Sequence, residues 1–177
     1  MRTAPSQPGH SLSIRPCGPQ DLASVNRIID AGIDSWQLSE RVKRLSKPLY
    51  HYGPDDLAHL DIHLAVAGGE AVGIIAWEPL EPAMRPDGLT GWLLHGLFVR
   101  PEAAGRGIGR ALVAACGSAA RAAGVDGLLV KAQADAEGFF QSLGFQRLPV
   151  ISESRDYDLR YWLSLTRQTA DQQRCRP

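Results

Sequence analysis

Three glycines at alternate positions, Gly105-Arg106-Gly107-Ile108-Gly109, follow a largely apolar run, Leu94–Val99, and lead into the alanine-rich stretch 111–123. A strand that runs through a glycine turn into a helix leaves main-chain N–H groups at the positive end of the helix dipole, a place for phosphate. Glycine lets that main chain approach a ligand with no Cβ in the way. Arg106 and Arg110 add positive charge beside the turn. Other phosphate motifs fail: there is no GxxxxGK[ST], and the spacing is GxGxG rather than GxGxxG, with no early βαβ unit before it. Proton chemistry has a candidate nearby. His95 stands two residues before Leu97, so both side chains lie on one face of the strand, and imidazole ionises near neutral pH. Trp36, Tyr50, His51 and Tyr52 form a second group, able either to clamp a cation with their rings or to close a small core. Glu78, Glu81 and Asp87 could draw in a cationic substrate, or simply be solvated. His63 is expected to face solvent. Cys116 reads as a small buried hydrophobe rather than a nucleophile.

These residues need a scaffold, and the pattern supplies one. Ser11–Arg15 reads as a strand, and a helix follows from Asp21 with Leu22, Val25, Ile28 and Ile29 on one face. A second helix is expected over Ser39–Leu45, closed by Pro48. Ile62–Ala67 and Ala71–Glu78, separated by Gly68-Gly69-Glu70, read as a hairpin. Leu89–Val99 is a longer strand, and Gly107–Ala123 a helix stopped by Gly124. A strand is expected over Gly127–Ala132, then a short helix capped by Asp135 and ended by Gly144. Phe145–Val150 and Asp158–Leu165 are the last strands. The fold class is α/β (α+β): a mixed sheet of about six to seven strands with helices on both faces.

Bulk properties bound the function. A chain of 177 residues is most economically one domain, here 11–166, with tails at 1–10 and 167–177 expected to be flexible. Nineteen basic residues balance 19 acidic ones, which argues against nucleic acid or an anionic membrane as the main partner. Cys17, Cys116 and Cys175 form neither a CxxC pair nor an even disulfide set, and residues 1–10 lack the apolar run of a signal peptide. A cytoplasmic location is expected. No metal site is expected, and a homodimer is compatible with the sequence.

The strand, turn and helix over Leu94–Ala123, with Ala136-Glu-Gly-Phe-Phe-Gln-Ser-Leu-Gly-Phe145 downstream, resemble the GNAT superfamily of N-acetyltransferases. The resemblance implies acetyl-CoA as co-substrate and direct transfer of its acetyl group to a primary amine of a small molecule or peptide. It implies that Gly105, Arg106, Gly107, Ile108, Gly109 and Arg110 hold the pyrophosphate through main-chain N–H groups. Leu97, Phe98 and Val99 would pair with the pantetheine arm, and the N–H of Leu97 would polarise the thioester carbonyl. In such a site His95 is the base. A primary amine is only about 0.1% neutral at pH 7, a cost of about 4 kcal/mol that a base offsets.

The sequence departs from the family's pattern at three places. Ala104 stands where the family usually begins the turn with Gln or Arg, and Gln133 where it often has Asn. Phe140 replaces the fourth-helix Tyr that commonly gives a proton to the departing thiolate. Tyr157 and Tyr161 are candidate substitutes, and the Phe also motivates a second reading, a CoA-binding regulatory or scaffold protein of the same fold.

Overall fold

Chain reversal after the first strand rests on one carboxylate. In the computed structural model, which describes residues 11–151 and 157–165, strand β1 (Ser13–Pro16) turns through Pro19–Asp21 into helix α1 (Leu22–Asp34). Asp21 accepts both terminal guanidinium nitrogens of Arg15, at 2.7 and 2.8 Å, and the N–H of Gly18 at 2.9 Å. The Arg15 bonds, then the Gly18 N–H, hold its carboxyl down to about 2. The tails expected at 1–10 and 167–177 lie outside the described residues.

Helix α2 (Glu40–Tyr50) starts at Ser39, whose Oγ accepts from the N–H of Val42. The expected stop at Pro48 is wrong, and the helix runs on to Tyr50. A proline in a helix forfeits the bond to the carbonyl four residues back. Both Pro48 and Arg44 are exposed, so that carbonyl is open to water in the last turn. Lys47 pairs with Asp34 at 2.8 Å and ties α2 to the end of α1.

Strands β2 (Asp61–Ala67) and β3 (Glu70–Pro79) meet at Gly68 and Gly69, with φ of +59° and +82°. Two left-handed residues give the turn whose twist suits a hairpin. Then come β4 (Gly91–Val99), α3 (Ile108–Ala122), β5 (Gly127–Lys131), α4 (Glu137–Ser142), β6 (Gln146–Arg147) and β7 (Arg160–Ser164). The seven strands follow the order β1-β2-β3-β4-β5-β7-β6, and β4 and β5 run parallel. Asp135 does not cap α4. It lies inside a 3-10 turn, Ala134–Ala136, and α4 begins after Ala136 with no side-chain cap. The strand expected over Phe145–Val150 shrinks to two residues, because the N–H of Phe145 bonds back to the Phe140 carbonyl and Pro149 has none to give.

The chain forms two compact units. One comprises the residues up to Ala76 with Gly96–Leu112, the other Trp77–His95 with the residues from Val113 on. In the first, Val25, Ile28, Ile29 and Ile33 of α1 pack on Ile62, Leu64, Ile74 and Phe98. Ile74 and Ala76 face α1, whereas a Cβ on Gly73 would meet Ile108 and Leu112 of α3 at 3.1 Å, so this part of β3 is covered on both sides. A Cβ on Gly32 of α1 would lie 2.7 Å from the Phe98 ring. In the second unit, Trp162 covers the paired Gly91 and Gly127 of the parallel strands and packs with Leu80, Leu93 and Leu129.

Glycine within a helix ordinarily costs about 1 kcal/mol relative to alanine. At residue 32 that penalty is outweighed by the contact with Phe98. Gly32→Val is expected to lower the unfolding free energy by about 2 kcal/mol, read as a fall in the urea midpoint at unchanged slope.

Candidate active site

The glycine turn is built by backbone conformation, not by packing. Gly105 and Gly107 have φ of +75° and +78°, and a Cβ on either would meet nothing within 4 Å. Gly105, Arg106, Gly107 and Arg110 are exposed, while Ile108 is buried and holds the first turn of α3 beneath Gly73. The first helical bond at this end runs from the N–H of Ala111 to the carbonyl of Gly107, at 3.0 Å. Donors of residues 108–110 therefore belong to the unsatisfied first turn of a helix. The turn expected to hold phosphate thus exposes its main chain at the start of α3, with Arg106 and Arg110 exposed beside it.

Strand β4 is fixed at both ends of its exposed stretch. The N–H of Arg100 bonds to the Val72 carbonyl at 2.9 Å, and its guanidinium lies 3.6 Å from Glu70. The parallel ladder with β5 runs from Gly91–Gly127 to Leu94–Val130 and stops there, while β4 itself continues to Val99. Leu97 and Val99 are half-buried, the Phe98 side chain is in the core, and His95 is exposed.

Residues ahead of β2 meet this stretch of β4. Trp36, Tyr50 and Phe98 form one cluster, with Tyr50 edge-on to Trp36 at 5.4 Å and to Phe98 at 6.0 Å. Trp36 and Tyr50 thus help close the core over α1. Tyr52 behaves differently. Its main chain is gripped by Asn26 of α1, which donates to the Tyr52 carbonyl at 3.0 Å and accepts from its N–H at 2.9 Å. Its hydroxyl reaches β4, where a Cβ on Gly96 would lie 2.5 Å from the oxygen. His51 pairs with Asp30 at 2.8 Å. His63, expected to face solvent, is half-buried, and burial pushes its ionisation down.

The sequence-based reasoning missed the Asn26–Tyr52 grip and the reach of Tyr52. The signal was Gly96, a glycine inside a strand, which marks close approach by another group.

In the second unit, Phe140 is buried and packs edge-on against Phe139 and Phe145, with centroids 5.2 and 5.3 Å away. Gln133 is exposed and starts the turn before α4. Tyr161 is fully buried and donates to Glu137 at 2.5 Å; that bond, then burial, raises its ionisation. Tyr157 is exposed. Cys116 is buried, as expected.

A sequence profile of the acetyltransferase (GNAT) domain matches residues 58–147, from just before β2 to the end of β6. The chain belongs to the GNAT acetyltransferases. These are acyl transfer enzymes, and acetyl-CoA is their co-substrate. Solved structures agree on the fold. A GNAT family acetyltransferase from Brucella melitensis, in complex with acetyl-CoA, is 22% identical with a TM-score of 0.62, over 89% of this chain and 90% of that one. The PaiA N-acetyltransferase from Thermoplasma acidophilum, in complex with coenzyme A, is 14% identical with a TM-score of 0.68, over 87% and 99%. The ribosomal-protein-S18-alanine N-acetyltransferase from Escherichia coli is 16% identical with a TM-score of 0.60, over 91% and 98%. No curated protein matches the sequence. Among the described residues no helix is long and apolar enough to cross a membrane.

In this GNAT chain the left-handed backbone at residue 107 makes a specific demand. A β-branched side chain there costs about 1–2 kcal/mol in that conformation, so the turn must rearrange. Gly107→Val is expected to weaken coenzyme A binding at least tenfold by calorimetry, with a melting temperature within a few degrees of the parent.

Proposed function

We propose that residues 11–166 act as one N-acetyltransferase domain that moves the acetyl group of acetyl-CoA directly to a primary amine of a small molecule or peptide. The open glycine turn carries this reading. Its left-handed Gly105 and Gly107 leave the main chain exposed at the start of α3, with no side chain to obstruct a pyrophosphate. Main-chain N–H groups from Gly105 to Arg110 bind that group, and Arg106 and Arg110 screen its charge. The early end of the β4–β5 ladder supports a pantetheine arm along Leu97–Val99. The Leu97 N–H then donates to the thioester oxygen as it gains negative charge. His95, exposed on the same strand, takes the proton that the amine sheds. Gln133 keeps an amide at the start of the α4 turn, and Phe140 packs the base of that helix.

A second reading, a CoA-binding regulatory or scaffold protein, draws on Phe140, which is buried among phenylalanines and has no proton to give. Coenzyme A release from acetyl-CoA in the presence of an amine panel separates the two. Acetyl-CoA and coenzyme A should each raise the melting temperature well above the effect of equal ATP or NAD. Equal stabilisation by all four would overturn the coenzyme A site, and stabilisation without thiol release for any amine would favour the scaffold.

The base has its own test. His95→Ala is expected to lower kcat by about 10²-fold while acetyl-CoA affinity stays near the parent's. His95→Gln keeps a polar group of similar reach and should be as slow. If both retain the parental rate and pH profile, His95 is structural.

A further inference from the structure

Successive residues of β7 point to opposite faces of the sheet. Tyr161 turns toward Glu137 of α4, so Arg160 and Trp162 turn away from it. The register carries that second face across three strands. Trp162 pairs with Leu129 and Leu129 with Leu93, and the three pack together. Two residues further along each strand stand Arg160, Lys131 and His95, with Arg160 paired to Lys131. The guanidinium of Arg160 and the imidazole of His95 therefore belong to one face.

Arg160 is 9% exposed and is the one charged residue that is buried among the described residues. It lines a recess of about 200 Å³ together with Arg85, Asp87, Met84, Leu148 and Pro149. The walls orient both arginines: Nη2 of Arg160 donates to the Pro149 carbonyl at 3.0 Å, and Nε of Arg85 donates to the Leu80 carbonyl at 3.3 Å. Arg85 is half-buried and forms no ion pair among the described residues, so its terminal nitrogens are donors without an acid. Met84 and Leu148 pack on the Leu93–Leu129–Trp162 cluster and give the recess an apolar floor. Two guanidinium groups above such a floor suit an anion with a hydrocarbon body. Asp87, on the exposed rim, leaves the lining with one net positive charge. That balance suits a carboxylate better than a doubly charged phosphate.

We propose that this recess holds a carboxylate of the acceptor, so that the amine acetylated belongs to a small molecule that also carries a carboxylate, as an amino acid does. The inference rests on the acetyl transfer reading above, in which His95 takes the proton of the amine. Arg85 and Arg160 grip the carboxylate, whose two oxygens match the paired N–H groups of a guanidinium. The hydrocarbon part of the acceptor lies over the apolar face, and the amine end points to β4. Only β5 stands between β4 and β7, so one small molecule can bridge the two ends. Positive charge on this face, Lys131 included, also disfavours the ammonium form of the bound amine and eases the loss of its proton.

The test offers a ladder of linear ω-amino acids, beginning with glycine, beside the matching carboxamides and aminoalkyl phosphates. At the best chain length the acid is expected to exceed its carboxamide about tenfold in kcat/KM. Arg85→Gln removes the charge but keeps a polar side chain, and should bring that acid-over-amide ratio close to one. Arg160→Lys keeps the charge and loses the paired donors, and should lower the ratio in the same direction. Because each variant is read as a ratio of two acceptors, a loss of folded protein does not imitate the result. A second readout needs no turnover. By calorimetry, the N-acetylated acid should bind the parent protein about tenfold more tightly than it binds Arg85→Gln. Equal use of acids and carboxamides, with product binding unchanged in Arg85→Gln, would overturn the carboxylate site and leave the acetyl transfer reading standing. Preference for the aminoalkyl phosphates would overturn the choice of carboxylate. If the parent protein releases no thiol with any amine, the acetyl transfer reading falls and the acceptor role of the recess falls with it, whatever the calorimetry shows.

Discussion

Helix α1 can lie where it does because residue 32 has no side chain. Any larger group would push into the Phe98 ring, and α1 would ride higher over the sheet. That depth propagates. Asn26, two turns earlier on the same helix, holds the main chain of Tyr52, so the level of α1 sets the level of the tyrosine and the reach of its hydroxyl to β4. Gly73 has the complementary role toward α3, admitting Ile108 and Leu112 and thereby seating the helix whose first turn follows the glycine loop. Two glycines thus set how closely α1 approaches β4 and α3 approaches β3.

The family profile begins at residue 58, after α1, α2 and Tyr52. The matched segment therefore runs from β2 to β6 and contains β4, the glycine turn, α3 and α4. Trp36, Tyr50, His51 and Tyr52, with their partners Asp30 and Asn26, lie in the part outside the match. A fold is shared by enzymes of different specificity, because function resides in the particular site and not in the scaffold.

The strand, glycine turn and helix over residues 94–123 are legible in the sequence because their signals are local. Alternate glycines, a preceding apolar run and an alanine-rich helix all fall within about thirty residues, and the structure places them as strand, turn and helix. The hairpin was legible for the same reason, since Gly68 and Gly69 take the left-handed conformations their identity suggests. Other expectations fail where solvent, a local turn or a distant partner decides. Pro48 reads as a stop, but an exposed final turn tolerates it. The strand after Phe145 is shorter than its residues suggest, because its first N–H turns back to α4. The contact between Tyr52 and Gly96 joins residues 44 positions apart, so no periodicity reports it. Only the glycine in a strand hinted that something occupied the place of its side chain.

The crowding at Gly96 also constrains how such a site can change over generations. A side chain at residue 96 and a hydroxyl at residue 52 compete for the same space. A lineage that carries both the tyrosine and the glycine can lose the hydroxyl first and enlarge residue 96 afterwards. The reverse order passes through a clash. History along this pair of positions runs more easily in one direction than in the other, and the glycine can outlast the tyrosine that once required it.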